Sequence, residues 1–169
     1  VADTYNHKIR KIDINSGEVT TFAGSGSAGY VGGTGIEASF NNPWGITTDG
    51  TNLYVTDSEN SMIRKIAIST GEVSIFAGAG SDSRGSSNGT GTLATFWHPS
   101  GITTDGTNLF VTDEKTHLIR KIVIATADVT TLAGAGDGFE NGSGSGAKFS
   151  KPSGIISSGN ELYVIDQSN

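Results

Sequence analysis

The groups that could do chemistry in this chain are few. There are three histidines, His7, His98 and His117, 17 acidic residues and no cysteine. Imidazoles and carboxylates converging on one point could hold a divalent cation, and a hydroxyl beside an imidazole and an acid could act as a nucleophile. Gly24-Ser-Gly-Ser-Ala-Gly29 has the spacing that cradles a pyrophosphate when it joins a strand to a helix. Arg10, Arg64 and Arg120 each sit in an Ile-Arg-Lys-Ile run, and these runs hold six of the 11 basic residues. Gathered free on one surface, they would form an anion-binding ring. Asp49-Gly50 and Asp105-Gly106 offer hard oxygen ligands, but without the Asp-x-Asp-x-Asp-Gly spacing of a calcium loop.

Repetition weighs against most of this chemistry. Val1, Val55, Val111 and Val164 fall in register at intervals of 54, 56 and 53 residues. Asp3, Asp57, Asp113 and Asp166 follow them at a fixed offset, as Arg10, Arg64 and Arg120 do. A catalytic carboxylate would be unique, so these acids read as turn caps, and the arginines as structural groups bonded to nearby carboxylates or carbonyls. His7 and His117 share one repeat position, but Ser61 breaks the series, so a metal centre built by repetition fails. His98 aligns with Asn42 and Lys151. No catalytic residue, metal ligand or cofactor is assigned. The Gly-rich stretches at 24–35, 78–91 and 134–146 recur with no helical pattern after them, and read as connectors.

The elements that position these residues are short and extended. In one unit they are Gly101–Thr104, Leu109–Thr112, Leu118–Ile124 and Val129–Leu132, rich in β-branched and aromatic residues and punctuated by Asp-Gly and Ser/Asn turns. No window sustains a helical period. Four antiparallel strands per unit, at a period near fifty, describe one blade of a β-propeller. A blade packs on both sides. Ile63 therefore points to one face while Ile66 and Ile68 point to the other.

Asn-Pro-Trp-Gly-Ile-Thr-Thr-Asp-Gly-Thr-Asn-Leu-Tyr-Val-Thr-Asp at 42–57, the Tyr-Asn-His-Lys-Ile-Arg-Lys-Ile run at 5–12 and closing strands ending in Ala-Gly resemble the NHL repeat of six-bladed β-propellers. The connector style at 23–46 is similar to bacterial NHL arrays. The resemblance implies an all-β array of about three repeats. Residues 1–24 are read as the end of a blade, 43–78 and 99–134 as blades, and 152–169 as the first half of another. The chain is expected to be a cut or processed piece: a segment of a longer propeller, or half of a two-chain ring that self-association completes.

The formal net charge of −6 argues against RNA as a partner. No run is long enough for a membrane span. Abundant Gly, Ser, Thr and Asn with no Cys resembles exported bacterial proteins, so an extracellular, periplasmic or cell-surface setting is expected. Loops on a rigid scaffold carry recognition. Tyr30, Trp44, Arg84, Trp97, His98 and Phe139, on or beside the connectors, are therefore the candidate contacts for a protein, peptide or glycan. At least one of the two tryptophans is expected in the core. Asn88 and Asn141 lie in glycosylation-acceptor triplets. The first reading is a non-enzymatic interaction scaffold. The alternatives are a metal-dependent lyase or lactonase of the six-bladed class, and a structural component of a surface assembly.

Overall fold

In the computed structural model, which describes residues 1–168, the chain is all-β, with short 3-10 turns between strands. Blade A holds β1 (Ala2–Asp3), β2 (Lys8–Ile12) and β3 (Val19–Ala23). Blade B holds β5 (Pro43–Thr48), β6 (Asn52–Asp57), β7 (Met62–Ala67) and β8 (Glu72–Ala77), with the two-residue β4 (Gly33–Thr34) added at its edge. Blade C repeats this pattern with β9 (Gly89–Thr90), β10 (Pro99–Thr104), β11 (Asn108–Asp113), β12 (Leu118–Val123) and β13 (Asp128–Ala133). Blade D holds β14 (Pro152–Ser158) and β15 (Glu161–Asp166).

All pairings within the blades are antiparallel. The first strands β5, β10 and β14 lie side by side, so the blades fan out from that line. Each third strand carries a register shift between its Ile and its Arg, as at Ile63/Arg64, where one extra residue on β8 is accommodated.

The strand period of two gives every blade two apolar faces. Ile63 joins Tyr54, Phe96, Val111 and Leu109 between blades B and C. Ile66 joins Ile9, Phe40, Val55 and Val73 between blades A and B. Neighbouring residues of one strand thus serve different cores, and no blade has a core of its own. The connectors complete these layers. Phe40 and Phe96 are fully buried, and the residues just before them run as 3-10 turns at Gly35–Glu37 and Gly91–Leu93.

The fifth strand is the main departure from the four-strand blade read in the sequence. Gly33 pairs with Val73, and Gly89 with Val129, so each connector returns along the last strand of the blade it leads into. Two residues bounded by glycines give no alternation to read. The Gly-rich connectors are therefore pinned segments of the sheet. The tryptophans also depart from expectation: Trp44 is 51% and Trp97 44% exposed, so neither is a core residue. Phe40 and Phe96 fill that role.

Candidate functional site

The repeated Asp and Arg residues form a lock at the strand ends that face the connectors. Arg64, wholly buried, donates from Nη1 to Asp57 Oδ2 at 3.0 Å and to Ser39 O at 3.1 Å, and from Nη2 to Val31 O at 3.2 Å. Its guanidinium lies 5.3 Å from the centre of the Phe40 ring. Arg120 repeats the plan with Thr95 O, Ser87 O, Asn88 Oδ1 and the Phe96 ring. Arg10 pairs with Asp3 at 3.1 Å, partly exposed. Each Asp also caps the entry to a first strand: Asn41, Trp97 and Ser150 donate backbone N–H groups to Asp57, Asp113 and Asp166. The three guanidinium groups are thus engaged within the blades. Asn88, in an acceptor triplet, spends its side-chain oxygen on Arg120; Asn141 is exposed.

A second device braces neighbouring blades, and here the copies diverge. His7, Ser61 and His117 occupy one position after the 3-10 turn and share a left-handed backbone, at φ 54°, 54° and 61°. His7 Nδ1 accepts the N–H of Asn42 at 3.1 Å, tying blade A to the entry of blade B. His117 Nδ1 accepts the N–H of Lys151 at 3.1 Å, tying C to D. At the junction of B and C the residue is Ser61. Its side chain is too short for this contact, and its buried hydroxyl has no partner.

Beside Ser61 and His98, which match His7 and Asn42 in the repeat, there is a cavity of about 200 Å3, lined by Ser58, Glu59, Ser61, Arg84, Trp97, His98 and Lys115. Glu59 lies 3.7 Å from Arg84 and 3.5 Å from His98 Nε2. His98 Nδ1 lies 3.1 Å from Glu114, outside hydrogen-bond geometry, and Lys115 lies 3.0 Å from the same carboxylate. The backbone holds the walls in place. Glu114 N–H donates to His98 O at 3.3 Å and Lys115 N–H to Trp97 O at 3.2 Å.

Of the six contact candidates, the structure brings Arg84, Trp97 and His98 into this cavity. Tyr30 and Phe139 are exposed on other connectors, and Trp44 lines a separate hollow with Tyr5 and Val19. Glu59, Ser61, Glu114 and Lys115 were not anticipated. The signal for them was the break in the His series at Ser61, which counted against a metal and is the same break that opens the cavity. Among the described residues, no group of three or more His, Cys, Asp or Glu side chains is arranged to hold a metal ion, and no helix is long and apolar enough to cross a membrane.

No family model matches the chain. It is similar to human NHL repeat-containing protein 2, with 30% identity over 95% of the chain and 24% of that protein. It is also similar to the chloroplastic protein SUPPRESSOR OF QUENCHING 1 of Arabidopsis thaliana, with 41% identity over 100% of the chain and 18% of that protein. The chain therefore spans about a quarter or less of these curated relatives. Both are eukaryotic, whereas the composition had suggested an exported bacterial array. Among solved structures, an auxiliary nutrient binding protein of Bacteroides thetaiotaomicron superposes with a TM-score of 0.75 and 17% identity, over 96% of this chain and 41% of that one.

Proposed function

We propose, on the premise that this chain is an NHL-repeat β-propeller array, that it is a non-catalytic recognition module which binds partners through its connector face. One observation carries this reading. The connectors are fixed by buried arginines and edge strands, and at the junction of blades B and C, where Ser61 replaces the bracing imidazole, an open cavity is lined by charged side chains and the half-exposed Trp97. A rigid rim needs little ordering on binding, which favours affinity. A half-exposed Trp next to charged groups is the composition of an interaction hot spot. The charged groups at the cavity are already paired with one another, which suits holding a ligand better than donating or abstracting protons. An extracellular or cell-surface setting, with protein, peptide or glycan partners, belongs to the same proposal.

The test is to offer the full-length protein a glycan array and a peptide phage library. Trp97→Ala is expected to weaken the selected ligand about tenfold or more. Thr107→Ala, on the exposed hairpin at the opposite strand ends, is expected to leave binding unchanged. Equal loss in both variants, or no ligand at all, would refute the reading.

A further inference from the structure

We infer that the cavity at the junction of blades B and C is a socket for one neutral saccharide ring, beside the repeat position that an imidazole holds at the other two junctions. This rests on the connector-face reading above and names the ligand class of that face. The size comes first. At about 200 Å3, the space is that of one ring and is below the usual range for a drug-sized ligand, roughly 300 Å3 or more.

The charges come next. Arg84 and Lys115 are balanced by Glu59 and Glu114, so a ligand of either sign would gain one partner and meet one repulsion. A hydroxyl donates and accepts, so a ring bearing several can give hydrogen bonds to the carboxylates while taking them from the guanidinium. The Glu59–Arg84 contact is loose at 3.7 Å and both side chains are partly exposed, which leaves their remaining valences to a ligand.

Ser61 forms part of the cavity wall: it has no exposure and its hydroxyl has no partner, so its short side chain leaves the space to a ligand without filling or contacting it. The half-exposed Trp97 offers an apolar face for the C–H side of a ring. The same repeat position that holds Arg84 holds Ala28 and Asp137 in the other connectors, and there Asp137 lies 3.5 Å from His117. That position differs in all three connectors, and the arginine stands at the junction that carries Ser61.

The decisive variant is Ser61→His. His7 and His117 adopt the same left-handed backbone, so the substitution is expected to fold, fill the socket and brace blade B to blade C. The full-length protein would be screened on an array of neutral oligosaccharides, then titrated with the methyl glycosides of glucose, galactose and mannose by tryptophan fluorescence. A peptide phage library would run in parallel. The expected result is saccharide binding that Ser61→His abolishes while Tm holds or rises. Saccharide binding that survives Ser61→His would overturn the socket, although recognition by the connector face would stand. Peptide binding without saccharide binding, blocked by Ser61→His, would overturn the ligand class alone. With neither ligand bound, both readings fall.

Discussion

At the scale of single residues, the repeat shows what each conserved-looking position does by what happens where a copy changes. Asn60 donates its side-chain amide to Asp57 Oδ2 at 2.8 Å and to Gly29 O at 2.8 Å, and Asn6 donates to Asp3. In blade C this position is Thr116, whose hydroxyl turns to the Asp113 backbone carbonyl instead. Asp113 Oδ2 is then left without a hydrogen bond, 3.6 Å from Arg120, in a site with no solvent exposure. Burial pushes both Asp57 and Asp113 up, Asp113 to about 7, and pushes Arg120 down. Thr116→Asn would restore the missing donor. It favours the charged carboxylate, and is expected to stabilise the fold by about 1–3 kcal/mol above neutral pH, with less gain in acid. Urea unfolding on either side of pH 7 checks this; equal effects at both would refute it.

At the scale of elements, the first strands set how closely blades can stack. Thr56 Oγ1 donates across the junction to Ser100 O at 2.6 Å and accepts Gly45 N–H at 2.7 Å; Thr112 repeats this with Ser153 O and Gly101 N–H. A Cβ at Gly45 would come within 2.5 Å of Ser100 O, and one at Gly101 within 2.2 Å of Ser153 O. The glycines of the Pro-x-Gly-Ile motifs at 43–46 and 99–102 are thus required by the approach of the next blade's backbone. Gly101→Ala is expected to cost about 1–3 kcal/mol or more, read as a fall in Tm. Gly50→Ala meets no atom and is strained only by its φ of 89°, so it is the milder control. The strands themselves were legible because alternation, Asp-Gly turns and a period near fifty agreed. Strands β4 and β9 were not, since two residues cannot show a period. The cavity was half legible. Arg84, Trp97 and His98 stood out by type, but Glu59 and Lys115 sit at a position with no repeated residue, and Ser61 matters only for the contact it fails to make.

At the scale of the molecule, two sets of carboxylates act oppositely on stability as pH changes. Asp49 is pushed up by burial, but hydrogen bonds from the Asn52 and Thr51 backbone, the Asn52 amide and the Tyr54 hydroxyl outweigh this and hold it at about 2. Asp105 is held down in the same way in the matching turn of blade C, chiefly by Asn108 once burial is overcome. A carboxyl lowered by folding contributes stability above its unfolded value of 3.8, and that contribution is lost as pH falls toward about 2. Asp113 has the opposite sign. Its contribution is complete below 3.8 and is lost as pH rises through about 7. The hairpin aspartates and the lock aspartate stand at opposite ends of the same strands, so the two losses strike different parts of each blade. Tm is therefore expected to peak near the unfolded carboxyl value of 3.8, with an acid limb below it set by the hairpins and a second, neutral limb, falling as pH rises toward about 7, set by Asp113 together with the raised Asp57. Asp49→Asn should shrink the acid limb alone, and Thr116→Asn the neutral limb alone. Calorimetry of both variants across the acid and neutral range separates the limbs, and a neutral limb that persists unchanged in Thr116→Asn would remove Asp113 as its source.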